Sequence, residues 1–145
     1  MRLNLRKTDP ALYQSLVAVD KEIAQSGLER WHWEMLKIKA SQINGCAYCV
    51  DKHTQDALAL GVAPRKVNLL SVWREAKSHF SEEEQLILLL TEEMTLIHQR
   101  GLTDETFQKC VAKFGEDVTS KLIVAAVSIN AWNRIGVGLK MEPSF

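Results

Sequence analysis

At 145 residues with 46% apolar side chains, the chain can bury a core without disulfide staples, and its length points to one domain over residues 1–145. Its 18 basic and 18 acidic side chains cancel, and no basic block offers a nucleic-acid footprint. Apolar runs such as Leu86–Leu90 are too short to span a bilayer, and the N-terminus lacks a signal-peptide core, so a cytoplasmic location with no membrane partner is expected.

The pattern predicts helices nearly throughout. Thr8-Asp9-Pro10 opens a first helix, with a capping side chain followed by a proline whose missing N–H does no harm there. It is expected to run to about Ser26, before Gly27, burying Leu12, Leu16, Val17 and Ile23. A second helix follows over Leu28–Ile43, buried along Trp31, Met35, Ile38 and Ile43 and stopped by Asn44-Gly45. The third covers Cys46 to Leu60, and a short fourth starts at Pro64 and passes through Trp73. Ser81-Glu82-Glu83-Glu84 matches a capping box for a fifth helix reaching about Gln99. Thr103 or Asp104 caps a sixth, ending at Phe114-Gly115, and Glu116–Leu139 forms the last. No period-2 strand competes, so the fold class is all-α, with about six to seven helices.

Two of the three cysteines fall in Cys46-Ala47-Tyr48-Cys49-Val50-Asp51-Lys52-His53. On a helix Cys46, Cys49 and His53 share a face, which sets a base near a sulfur. The thiolate is the nucleophile, and a helix N-terminus favours its negative charge. Paired thiols also permit a full cycle: oxidation of one to a sulfenic acid, disulfide formation with the other, and reduction by exchange. Glu34 lies within the apolar stripe of the second helix, where burial is expected to raise its pKa toward neutrality and fit it for proton exchange. Cys110, among Phe107, Val111 and Phe114, reads as a core residue.

Glu34, eleven intervening residues, Cys46-x-x-Cys49 and His53 resemble the alkylhydroperoxidase D-like group of the carboxymuconolactone decarboxylase superfamily. Ser41-Gln42-Ile43-Asn44-Gly45 and Asn130-Ala131-Trp132-Asn133-Arg134 carry the likeness further, over about Trp31 to Val137. The resemblance implies a homo-oligomer (trimer or hexamer), no bound cofactor, and reduction of a peroxide at the expense of a dithiol, of lipoyl type or from a small thiol protein. By position it makes Cys49 the peroxidatic thiol and Cys46 the resolving one, joined in a redox-active disulfide, with Glu34 and His53 as a proton relay. The helix dipole alone favours Cys46 as the attacking sulfur, whereas the His53 pairing and the resemblance favour Cys49, which is preferred here. Better-known members carry a histidine where this chain has Tyr48, a relay or pocket candidate whose phenol is a poor base at neutral pH.

Other readings fit less well. A structural zinc site wants a second Cys or His pair, which is missing, so no metal is expected. A thioredoxin-like motif belongs after a strand. A carboxymuconolactone decarboxylase-like lyase would leave the cysteine pair idle. A non-enzymatic helical oligomer with structural cysteines would leave His53 beside them by coincidence.

Overall fold

The computed structural model describes residues 1–144. Seven α-helices follow one another: α1 (Leu5–Thr8), α2 (Pro10–Gln25), α3 (Arg30–Asn44), α4 (Ala47–Ala59), α5 (Pro64–Leu69), α6 (Glu82–Thr95) and α7 (Asp104–Gly138). Short 3-10 turns over Leu70–Glu75 and Lys77–His79 join α5 to α6, and no strand occurs among the described residues. No helix is long and apolar enough to cross a membrane.

Helix α3 is the axis of the fold, packed against α4, α6 and α7. Its sequence predicts a single buried stripe, but every residue from Trp33 to Ser41 is buried, because neighbours cover α3 on all sides. Met35, Leu36 and Ile38 meet Leu88, Leu122 and Ile129 in the core. Two lysines are carried inside with them, and a buried ammonium needs a partner. Lys37 pairs with Glu34, and Lys39 lies 3.3 Å from a carboxylate oxygen of Glu92.

Several helix ends stand where local chemistry puts them. Asp9 accepts from the Leu12 amide ahead of Pro10. At Gly115 (φ 78°, ψ 168°) α7 breaks into two helical stretches, a backbone geometry that only glycine adopts easily, so the expected boundary there holds. Two expectations need correction. Helix α2 is peripheral: Leu12 is 62% exposed and only Ile23 is buried, since α2 covers one edge of the bundle rather than entering it. Helix α6 stops at Thr95 instead of near Gln99. Glu93 binds the Thr103 amide at 2.8 Å and the Thr106 hydroxyl at 2.8 Å, which ties the end of α6 to the start of α7 and requires the chain to reverse between them.

The capping box of α6 is present in full, and Glu84 does more than cap. Its carboxylate accepts from the Ser81 amide (2.7 Å), Trp31 Nε1 (2.6 Å) and Lys66 Nζ (2.6 Å), so it joins three segments. Burial pushes its pKa up, but the hydrogen bonds from Lys66, Trp31 and Ser81, with the charge of Lys66, hold it below the usual carboxylate value. The unfolded chain then binds this proton more readily, so the carboxylate stabilises the fold above the ordinary value of 4.5 and stops doing so as pH falls through its lower folded value. The free energy of urea unfolding is expected to decline below that pH, with a shallower slope in Glu84→Gln.

Candidate active site

The cysteine pair sits in a connection of minimal length. Helix α3 ends in a Schellman turn: Gly45 adopts φ 67°, the Cys46 amide reaches Ser41 O at 3.0 Å, and the Gly45 amide reaches Gln42 O at 3.3 Å. Cys46 is at once the last residue of that turn and the N-cap of α4, its Sγ accepting from the Cys49 amide at 3.4 Å. Both sulfurs therefore lie at the positive end of α4. They are joined as a disulfide with the Cα atoms 5.3 Å apart.

A buried cluster spans α3 and α4. Glu34 is 4% exposed, with His53 Nδ1 3.1 Å from one carboxylate oxygen and Lys37 Nζ 2.7 Å from the other. The ammonium of Lys37 also stands 3.7 Å from the centre of the Trp33 ring. Asp56 reaches His53 Nδ1 from the next turn of α4, at 3.6 Å. Burial would raise the Glu34 pKa, as its place in the apolar stripe suggested, but the hydrogen bond and charge of His53 and those of Lys37 outweigh it. The net shift is downward, which corrects the expectation: Glu34 is a carboxylate at neutral pH.

Cys49, His53 and Tyr48 line one cavity of about 410 Å³, whose walls include Tyr13, Trp132 and the N-terminal residues Leu3–Arg6. Cys46 is buried and absent from this lining. Tyr48 is 36% exposed at the cavity wall. Carboxylate and imidazole atoms of Glu34, His53 and Asp56 fall within 4.8 Å of one another, a spacing open to a metal ion. Lys37 already neutralises Glu34 there, and neither cysteine belongs to that group.

Sequence reading thus named residues that the fold brings together: Glu34 meets His53, and His53 shares a cavity with Cys49 and Tyr48. Cys110 is fully buried, and burial followed by the charge of Glu93 pushes its thiol pKa up to about 11, which makes it inert. Trp132 lines the cavity and donates to Asp20 at 2.7 Å, while the fully buried Asn133 bonds Asn44 and Ser41 at 2.9 Å each, pinning α7 to the turn before Cys46. His32 stays outside the cavity, beside Glu29.

Lys37, Asp56 and Gly136 at the site escaped notice. Lys37 stands three residues after Glu34, the spacing of an ordinary surface ion pair, and nothing local marks it as buried. Gly136 lies on α7, where a Cβ would come 2.7 Å from Cys46 Sγ and 3.4 Å from Cys49 Sγ. The glycine is what lets α7 lie directly on the sulfurs.

An all-helical fold with a Cys-x-x-Cys pair at a helix start and a glutamate–histidine pair whose histidine shares its cavity defines an alkylhydroperoxidase D-like protein. Residues 10–92 match the carboxymuconolactone decarboxylase family, and the chain belongs to it. It is 32% identical over 138 residues to the uncharacterized protein YdfG of Bacillus subtilis (strain 168), covering 95% of this chain and 93% of that one. A crystal structure of a protein of unknown function from Agrobacterium tumefaciens, described as a candidate antioxidant defence protein AhpD, superposes with a TM-score of 0.94 at 35% identity, covering 99% of each chain. An uncharacterized peroxidase-related protein from Silicibacter sp. TM1040 shares the fold, with a TM-score of 0.79 at 19% identity over 90% of this chain and 69% of that one.

The approach of α7 to the sulfurs can be tested at one methyl group. Gly136→Ala is expected to lower stability by about 1–3 kcal/mol, the usual cost of forcing an atom into a packed site. Gly138→Ala is the control, since a Cβ at Gly138 meets nothing within 4 Å. Equal denaturant midpoints for the two variants would contradict the packing described.

Proposed function

We propose that this protein is a thiol-dependent peroxidase of the antioxidant, alkylhydroperoxidase type. The observation that supports the reading best is that Cys49 lines the cavity together with His53, while its disulfide partner Cys46 is not part of the cavity wall. In the reduced protein the Cys49 thiolate attacks the outer oxygen of a hydroperoxide. The O–O bond breaks, the sulfur becomes a sulfenic acid, and the leaving oxygen takes a proton to depart as an alcohol or water. Cys46 then attacks the sulfenic sulfur, expelling water and forming the disulfide. A dithiol, lipoyl-type or on a small thiol protein, restores both thiols by exchange and is itself oxidised to a disulfide.

Protons move through His53, which follows Cys49 by one helical turn and rests on Glu34. Tyr48, at the cavity wall, orients substrate or water by hydrogen bonding rather than by acting as a base. The lyase reading leaves the paired sulfurs without a task. Copies of the chain assemble as a trimer or hexamer, for which exposed Val124 and Val127, 45% and 56% accessible on one face of α7, supply apolar surface.

The test is hydroperoxide consumption with dihydrolipoamide or dithiothreitol. Cys49→Ser should abolish turnover, and His53→Ala should slow it by about a hundredfold or more, the usual worth of a positioned base. In Cys46→Ser, limiting peroxide followed by dimedone should label Cys49. A label on Cys46 in Cys49→Ser, with none on Cys49 in Cys46→Ser, reverses the assignment, and no turnover with unreactive thiols ends the peroxidase reading. Sedimentation should give a multiple of 16.4 kDa.

A further inference from the structure

Lys37 is a lysine 7% exposed at the centre of the fold, and the cycle above gives it no task. Its ammonium has a carboxylate oxygen of Glu34 at 2.7 Å and the face of Trp33 at 3.7 Å, both partners for a cation. The charged and titratable groups around it are Glu34 on its own helix, Asp20 on α2, and Asp56 and His53 on α4. Burial draws the Lys37 pKa below the usual lysine range, while Glu34 first, then Asp20 and Asp56, hold it up. Glu34 thus contacts the buried ammonium, and Asp20 and Asp56 act on it from further off.

The consequence runs through Glu34 to the imidazole. A neutral histidine donates through one ring nitrogen and accepts through the other, and the partner of the first decides which is which. Against an ionised Glu34, His53 Nδ1 must carry the hydrogen, which leaves Nε2 as the base. Against a protonated Glu34 the carboxyl donates instead, Nδ1 accepts, and Nε2 carries the hydrogen and can take no proton from a thiol.

We propose that Lys37 is a positioning residue that sets the tautomer of His53 by holding Glu34 ionised and turning its second oxygen to the ring. The proposal deepens the relay of the peroxidase reading and rests on it, but its tests need no peroxide. Loss of an opposite charge at this range moves a carboxylate by about 1–3 pH units. Without Lys37, only the hydrogen bond and charge of His53 oppose burial, and the Glu34 pKa rises.

The experiment uses the dithiothreitol-reduced protein, labelled with nitrogen-15 for histidine NMR, and iodoacetamide alkylation of Cys49 followed by mass spectrometry across pH. Wild type should show neutral His53 with its hydrogen on Nδ1. Lys37→Met, which keeps the side-chain length, should raise the pH below which the hydrogen moves to Nε2. It should also shift the acid limb of alkylation upward by about one unit or more, a tenfold loss of rate at a pH on that limb. Lys37→Arg, which restores the charge, should return both readouts toward wild type.

In the Glu34→Gln background Lys37→Met should shift the limb no further. An unchanged tautomer and limb in Lys37→Met overturns the proposal, as does a Lys37→Arg variant that behaves like Lys37→Met, since packing would then be the cause. If Lys37→Met fails to fold, Lys37→Gln takes its place with the same two readouts, and in wild type Nε2–H on neutral His53 overturns the proposal. Absence of hydroperoxide turnover with these NMR and alkylation results intact would remove the peroxidase reading and leave the Lys37 effect standing.

Discussion

Burying α3 on every face is the constraint from which the site follows. A helix covered on one side can turn its charges to water, but the stretch Trp33–Ser41 of α3 cannot, so each charged residue in it has found a partner inside. Glu34 is held by Lys37 along the same helix and by His53 across from α4. Lys39 is held by Glu92 on α6, which also accepts from Trp73 Nε1 at 2.7 Å. The same interactions that make the core tolerable fix how α4 and α6 sit against α3. Structural and chemical roles are therefore not separable at Glu34, and in the proposed cycle its proton affinity is set by the packing that buries it.

The cysteines depend on the axis in another way. Because α3 closes in a Schellman turn at Gly45, the chain enters α4 with no linker, and Cys46 caps the new helix directly. Asn133 on α7 bonds Ser41 and Asn44 in the last turn of α3, so the turn is held by α7 as well as by its own hydrogen bonds. Gly136, one turn further along α7, then lets the backbone lie against the sulfurs. Helix α7 covers Cys46, while Cys49 faces the cavity. The asymmetry between two cysteines in one motif comes from what packs on them, and it supports giving them different tasks.

Local signals were readable wherever one or two residues decide a backbone choice. Asp9-Pro10 starts α2, Gly45 ends α3, the Ser81 capping box starts α6, and Gly115 interrupts α7, each by chemistry confined to a few neighbours. Helix ends set by distant contacts were not. The early stop of α6 reflects Glu93 reaching Thr103 and Thr106, and the exposure of Leu12 reflects the peripheral place of α2. Neither partner can be identified from spacing, because periodicity tells which residues share a face and not whether anything covers it.

At the site, Cys46, Cys49, His53 and Tyr48 were readable because their chemistry is rare and their spacing at the start of α4 puts them together, and Glu34 because it interrupts the apolar stripe of α3. The family, the all-helical fold class and the pairing of the two sulfurs at a helix start lay within the amino-acid order. Tertiary structure alone decided the rest. Burial by itself argues for a raised Glu34 pKa, and the opposite result needs the distances to His53 and Lys37, which only the packing of α4 on α3 provides. Lys37 looks like a surface lysine until its helix proves to be the axis, and Gly136 looks like any helix glycine until α7 is laid on the sulfurs. Side-chain identity travels with the chain, but burial and the field of distant charges exist only once the helices have assembled.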